Sequence, residues 1–455
     1  MRFDNDSITS KALSTLFSYK SFRNTYKFLK QSQYWSIEQL REYQLEKLHE
    51  LINHSYENVP YYRRVFDERG LKPSDIRNFK DLEKLPFLTK EIIRENLEDL
   101  KAKNYPRSKF EYVTTGGSTG VPLGFYYEKG TSRAIEWAYI KTLWDRVGYN
   151  FTDKCVILKG NVIKSADQGK FWETALFGRA LILSSYHMSE ETIPKYINKI
   201  REFGPKYIQA YPSTITIIAS FMKKHNIEPF PSVKALLCGS ENMYPDQRKL
   251  LEDVLNCRVY TWYGHSERVV LAGECEKNKS YHIFPQYGIF ELVDGNGKII
   301  DDFGVKGNIV GTGLTNFAMP LIRYKTDDLA SYAGNNCNCK RSFPLITDVK
   351  GRWLQEFIIA PNYRLIPITA INMHSNIFDN VVQFQFLQEK EGEVIFYIVK
   401  GTKYQKKDTE YIRKELSKKL GKDVKLDIRF VDKISRTSRG KYRFIIQKLS
   451  INSTI

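Results

Sequence analysis

Two stretches of this 455-residue chain gather residue types able to do chemistry. The first is Thr114-Thr115-Gly116-Gly117-Ser118-Thr119-Gly120-Val121-Pro122-Leu123-Gly124, where four of eleven residues are glycine and four carry hydroxyls. Glycine lets the backbone turn sharply and approach a ligand, and exposed N–H groups beside hydroxyls suit a polyphosphate. An ordinary Gly/Ser surface turn has the same composition, so these residues alone leave both readings open. No Lys-Ser/Thr pair follows Gly120, which excludes a Walker A loop, and the glycine spacing excludes the dinucleotide fingerprint. The second stretch is Cys337-Asn338-Cys339, with Cys275 and His282 upstream. Three thiolates and one imidazole form a ligand set for a closed tetrahedral Zn²⁺ site. Cys-x-Cys is a less usual ligand spacing than Cys-x-x-Cys, so unrelated loop residues are the competing reading. Cys155, Cys238 and Cys257 fall on or beside predicted strands and read as core.

Around the glycine loop the pattern predicts the scaffold. Ser36 with Gln39 three residues on reads as a capping box starting a helix that ends near Asn58-Val59-Pro60. Residues 1–32 predict a short helix packed on the main body. The β-rich run 110–113 feeds the glycine loop. Helices over 131–147, 190–203, 213–224 (capped by Ser213) and 245–255 alternate with strands over 154–159, 180–184, 206–211, 233–238 and 258–262. Such alternation predicts a parallel sheet flanked by helices, with ligands at the carboxyl ends of the strands. Two loops fall at such ends, Gly239-Ser240-Glu241-Asn242 and Tyr263-Gly264-His265-Ser266-Glu267. From about Gly288 the texture turns β-rich, with a hairpin signal at Asp294-Gly295-Asn296-Gly297. A ββαβ pattern follows over 381–431. The predicted fold is α/β: a large N-terminal domain (1–350) with mixed or parallel sheets flanked by helices and a β-rich subdomain, a hinge at 351–356, and a small mobile α+β domain (357–455).

Composition narrows the function classes. At 42% hydrophobic and 14% aromatic residues the chain reads as globular, and its length allows two or more domains. No run approaches the ~18 apolar residues of a membrane span. The first residues lack an apolar secretory core, and six scattered cysteines make no disulfide framework, so a soluble cytoplasmic protein is expected. The net charge is +18, and residues 401–455 carry 16 Lys/Arg against 6 Asp/Glu, or 16 − 6 = +10. That surface attracts polyanions: nucleotide phosphates, CoA, or an anionic membrane face met peripherally. No zinc-finger, RRM or basic-zipper pattern is present, so no specific nucleic-acid partner is expected. No Ser-His-Asp or paired-carboxylate hydrolase arrangement stands out either.

Six separated motifs together resemble the adenylate-forming superfamily of acyl-CoA ligases, nearest to its phenylacetate–CoA ligase and CapK-like group. They are Asn58-Val59-Pro60-Tyr61-Tyr62, the loop from Thr114 to Pro122, Tyr263-Gly264-His265-Ser266-Glu267, Arg323-Tyr324-Lys325-Thr326-Asp327-Asp328-Leu329, Gly351-Arg352, and Arg436-Thr437-Ser438-Arg439-Gly440-Lys441. Each alone is weak; six in family order and spacing across nearly the whole chain are specific. The sequence departs from the family in two places. Asp327 replaces a glycine, and the acid expected after Arg352 is absent, with Leu354 and Gln355 there and Glu356 just beyond.

The resemblance implies AMP-forming activation of a carboxylic acid by ATP and Mg²⁺, followed by transfer to a thiol such as CoA. A CapK-like alternative passes an acyl, aminoacyl or uronate group to an amine or hydroxyl in cell-surface polysaccharide synthesis, with a glycan or amine as acceptor. A non-catalytic basic binding module is the third reading. By resemblance, Thr114, Thr115, Gly116, Gly117, Ser118, Thr119 and Gly120 would hold the β- and γ-phosphates. Ser240 and Glu241 would frame the adenine, Tyr263 would lie against it beside Gly264, and Ser266 would contact the α-phosphate. Glu267 would bind Mg²⁺ and take part in catalysis, Asp328 would bind the ribose, and Arg352 would pair with ribose or phosphate. Lys441, on the small domain, would be the catalytic cation. By position, Trp137, Tyr139, Tyr211, Pro212 and Trp262 line an acyl pocket or belong to the core.

Overall fold

The computed structural model describes residues 8–115, 123–163, 166–351, 357–362, 364–368, 371, 376–378, 380–434 and 445–449. The chain divides into two compact units. One comprises Met1–Val113, Gly124–Tyr149 and Trp262–Lys350; the other comprises Thr114–Leu123, Asn150–Thr261 and Gly351–Ile455.

In the first unit the helix Ile8–Ser32 is 25 residues long, not short, and packs along the helix Ser132–Asp145. Tyr26 Oη donates to Asp145 Oδ2 at 2.7 Å, and Ser18 Oγ donates to the Gly130 carbonyl at 2.8 Å, fixing that pairing. The helix Ile37–Asn58 carries the expected Ser36/Gln39 capping box. Pro60, which stops it, is also N1 of the next helix, Pro60–Glu68, because its missing N–H would have been unpaired there anyway.

The sheet of this unit is antiparallel: Gly288–Val293, Lys306–Gly313, Tyr324–Tyr332, Leu345–Lys350, Tyr281–Ile283 and Leu271–Gly273 pair in that order, and Leu271–Gly273 pairs onward with residues 262–264. Asp294–Gly297 does form a turn, closed by Asp294 N donating to the Lys298 carbonyl. Glycine is required where residues 268–270 cross this sheet. A Cβ at Gly288 would stand 2.1 Å from the Val269 carbonyl oxygen, and one at Gly311 would stand 2.6 Å from Val269 Cγ2. Side chains at those positions would expel the segment that directly follows Glu267.

The second unit holds the predicted parallel sheet. Residues 258–261, Ala235–Cys238, Tyr207–Ala210, Cys155–Asn161 and Ala180–Ser184 pair in parallel, and Trp172–Ala175 adds an antiparallel edge. The helices Ile193–Phe203, Pro212–Lys224 and Pro245–Leu255 bury Tyr196, Ile200, Ile215, Ile218, Leu251 and Leu255 against Val156, Leu181, Ile208, Leu236 and Val259. Gly204 ends its helix in the left-handed region at φ 62°, as the Gly-Pro pair predicts. One expected cap is corrected: the helix starts at Pro212 with Tyr211 as N-cap, so Ser213 lies inside the first turn.

Within the same unit, the C-terminal stretch is α+β. The hairpin Val381–Lys390 with Glu393–Lys400 is flanked in parallel by Ile445–Gln447 and Lys425–Phe430. The helix Lys406–Leu420 buries Ile412, Leu416 and Leu420 in the cluster that holds Phe384, Phe386 and Phe396. Among the described residues no helix is long and apolar enough to cross a membrane.

Candidate active site

In the first unit, two motifs far apart in sequence meet. The strand Arg258–Gly264 ends at Tyr263 and Gly264, then turns through His265 and Ser266 to Glu267. The strand Tyr324–Tyr332 supplies Asp328. Tyr263 Oη donates to Asp328 Oδ2 at 2.9 Å, and Tyr324 Oη donates to Glu267 Oε1 at 2.6 Å. Both carboxylates are buried, at 6% exposure each, so a partner for each is physically required. Burial first, then the Asp328 carboxylate, holds the Tyr263 phenol well above its usual pKa, so it remains a donor. Beneath the turn, Tyr127 Oη donates to the Ser266 carbonyl, and the Arg268 guanidinium stands 3.9 Å over the Tyr127 ring.

The adjacent acids of the second motif diverge, as successive residues of a strand do, and the left-handed backbone at Asp327 adds to the turn. Asp328 points inward, its backbone N–H donating to Thr326 Oγ1, which in turn donates to the Ile309 carbonyl. Asp327, at φ 63°, is half-exposed and takes a 2.8 Å ion pair from the buried Lys90. Arg323 of that motif turns the other way. Its guanidinium donates to Glu291 at 2.8–3.2 Å and to the Leu85 carbonyl at 2.9 Å, all buried. Burial raises the Glu291 carboxyl despite Arg323 beside it. Arg323 and Tyr324 belong to a motif legible in the sequence, but their partners Glu291 and Glu267 do not follow from it, and Lys90 comes to Asp327 from the start of the helix Lys90–Glu95, next to the parallel bridge between Leu88 and Tyr324.

In the second unit, Thr115 closes the neck of the glycine loop. Its N–H donates to the Leu123 carbonyl at 2.9 Å, and Leu123 N–H donates back to Thr115 Oγ1 at 3.0 Å. Thr114 ends the strand before it. Gly116, Gly117, Ser118, Thr119, Gly120, Arg352 and Lys441 lie outside the described residues. Ser240 adopts φ 70°, a left-handed conformation at the end of the strand Ala235–Cys238. Glu241 accepts from Ser213 N at 2.9 Å and Ser213 Oγ at 2.8 Å, so its carboxylate caps the first turn of the helix Pro212–Lys224. Asn242 next to it holds both backbone polar groups of Gly351: Gly351 N donates to Asn242 Oδ1 at 2.9 Å, and Asn242 Nδ2 donates to the Gly351 carbonyl at 3.1 Å. Sequence reasoning named both loops but not this clamp.

Of the aromatic pocket candidates, Tyr139 and Tyr211 are core. Tyr139 is edge-on to Phe284 and Tyr287, and Tyr211 sits in the cluster with Tyr186 and Phe384. Trp137 is 46% exposed.

Cys275, His282, Cys337 and Cys339 are brought together, with their ligand atoms all within 4.8 Å of one another. Hydrogen bonding between Cys275 and Cys339 pulls the Cys339 thiol far below its usual value and pushes Cys275 up.

Residues 359–448 match the CapK C-terminal domain family. Protein CapK of Staphylococcus aureus is 28% identical over 420 residues, covering 90% of each chain. Phenylacetate-coenzyme A ligase of Aromatoleum evansii is 30% identical over 325 residues, covering 69% of this chain and 71% of that enzyme. The fold is that of 2-hydroxyisobutyryl-CoA ligase, solved with 2-HIB-AMP and CoA in the thioesterification state (TM-score 0.60, 18% identity, 90% of each chain). By its similarity to the Aromatoleum enzyme, the chain belongs to the phenylacetate–CoA ligase and CapK-like group of adenylate-forming enzymes.

Proposed function

We propose that this chain is an AMP-forming ligase that activates a carboxylic acid with ATP and passes the acyl group to the thiol of CoA. The observation that carries the reading is the convergence of Asp328 and Glu267, buried and each held by a tyrosine hydroxyl. A buried carboxylate held by a neutral donor is suited to accept a hydrogen bond from a ribose hydroxyl; that is the role of Asp328 here. Glu267, a hard oxygen donor fixed at a turn, fits Mg²⁺, and a bound Mg²⁺ would neutralise charge on the ATP phosphates. Tyr324 orients the Glu267 carboxylate. Ser266 contacts the α-phosphate, and Tyr263 flanks the adenine with Ser240 and Glu241. Thr114 to Gly120 receive the β- and γ-phosphates, where backbone N–H groups and hydroxyls hold pyrophosphate as it forms.

Residues 351–356 serve as the hinge of a small domain, 357–455, that delivers Lys441 to the α-phosphate and carboxylate oxygens. The Asn242 clamp supports that reading, because it anchors the first residue of the hinge to the adenine loop.

CapK similarity over 90% of both chains favours a second acceptor class, an amine or hydroxyl of a glycan precursor. The AMP-release assay with each acceptor tests the choice. AMP release that depends on CoA supports the thiol reading, and release that depends on an amino or hydroxyl sugar but not on CoA overturns it.

A further inference from the structure

The Cys275, His282, Cys337 and Cys339 cluster lies in the first unit, on segments that the ligase reading does not use. Cys275 follows the strand Leu271–Gly273, His282 is on Tyr281–Ile283, and Cys337 and Cys339 lie in the loop before Leu345–Lys350. We propose that these four side chains bind one structural Zn²⁺ that fastens the two strands to that loop.

Four observations carry this. First, the spacing fits. With Zn–S near 2.3 Å and Zn–N near 2.0–2.1 Å, a tetrahedron has S···S edges of about 3.8 Å and S···N edges of about 3.5 Å. Cys275 Sγ and Cys337 Sγ are 3.6 Å apart, and Cys339 Sγ and His282 Nε2 are 3.3 Å apart. Second, the imidazole is oriented for a metal. His282 Nδ1 faces the Ser280 carbonyl at 3.1 Å, and a carbonyl only accepts, so the hydrogen sits on Nδ1 and the Nε2 lone pair faces the thiols.

Third, Cys275 Sγ is fixed in place by backbone donors. Lys277 N and Asn278 N donate to Cys275 Sγ at 3.3 and 3.2 Å, the arrangement of a turn that wraps a metal-bound sulfur with N–H groups. Fourth, the site is built for net negative charge. Three thiolates, a neutral imidazole and Zn²⁺ sum to −1, and two buried arginines stand by. Arg146 donates from Nη1 to the carbonyls of Gly273 and Glu274, just before Cys275, while its Nε and Nη2 have no hydrogen-bond partner among the described residues. Arg341, two residues after Cys339, is 4% exposed and is held by Gln33 and Glu276. Arg341 is already ion-paired with Glu276 at 3.0 Å, so it is the Arg146 guanidinium that an anionic metal site would supply with countercharge.

The rival arrangement is a Cys275–Cys337 disulfide, since those sulfurs are neighbours. The consequence of zinc reaches the candidate active site: Leu271–Gly273 pairs with residues 262–264, with Ala272 opposite Tyr263. A metal two residues beyond that strand holds the register of the strand that carries Tyr263.

The test is metal analysis of the full-length chain, expressed with zinc in the medium and passed over a chelating resin. Wild type is expected to keep about one zinc per chain, and Cys339→Ser and His282→Ala less than about a tenth. Cys155→Ser, in the other unit, keeps the wild-type content. Should the site variants prove insoluble, a mercurial thiol reagent on wild type is expected to release one equivalent of zinc as the thiols react. Chelated wild type denatured without reductant is expected to titrate all six thiols. Wild type that holds no zinc after refolding in excess zinc overturns the proposal, as does a titration of four thiols.

Discussion

Tyr263 and Asp328, 65 residues apart in sequence, are joined by a 2.9 Å hydrogen bond in the buried interior of the first unit. A tyrosine whose ring flanks a nucleotide base would thus also fix the carboxylate that binds its sugar. Tyr263→Phe removes only the hydroxyl and leaves Asp328 buried with one donor fewer. The expected result is a KM for ATP raised roughly tenfold with kcat little changed, since a lost hydrogen bond to a charged group costs about 1.5 kcal/mol or more. Steady-state kinetics of adenylation check it; an unchanged KM would show that Asp328 is positioned without Tyr263.

Arg323 and Glu291 supply a second, purely structural prediction. Both side chains are 5% exposed or less. Arg323→Met strands a buried carboxylate and should cost about 3–5 kcal/mol, whereas the double change with Glu291→Leu should recover much of that loss. Denaturant unfolding of the single and double variants measures the difference. Equal loss in both would point to Arg323 acting through the Leu85 carbonyl instead.

The clamp of Asn242 on Gly351 predicts a local effect. Asn242→Ala leaves both backbone polar groups of Gly351 without this partner, so amide hydrogen exchange at Gly351 should speed up about tenfold while the core of the parallel sheet keeps its protection. Exchange followed by mass spectrometry reads both at once, and undiminished protection at Gly351 would show that the clamp contributes nothing.

Lys159, on the strand Cys155–Asn161, gives a pH prediction. The residue keeps some exposed surface, but burial of its ammonium end brings its pKa from 10.5 down to about 8, with Cys238 and Cys155 opposing. Between those two values the unfolded chain binds more protons than the folded one, so this residue's contribution to stability improves as pH rises through that window. Lys159→Met should therefore raise the melting temperature most at pH 7 or below, with the advantage fading toward pH 10. A constant difference across that range would contradict the assignment.

Much of this molecule is legible in the sequence, for identifiable reasons. The Ser36 capping box, the Gly204 stop and the alternation from 155 to 264 are local signals, and the structure follows them within a few residues. The cysteine and histidine ligands were visible as types, though only the pairing of Tyr281–Ile283 with its neighbours brings them together. What escaped is non-local. Nothing near Asp327 announces Lys90, and nothing near Glu267 announces Tyr324. Strand register and the order of strands in the antiparallel sheet decide such contacts, and neither is written in a local pattern.

Formation of an acyl-adenylate is the step on which every role given to these residues depends. ATP–pyrophosphate exchange, run with aryl, fatty, amino and uronic acids in turn, tests it most directly. Acid-dependent exchange is expected with at least one class, lowered roughly 10²-fold or more by Lys441→Ala, while reaction of a preformed adenylate with the acceptor is largely spared. No exchange with any acid by folded wild-type protein would rule out adenylation, and would leave a nucleotide-binding module without turnover.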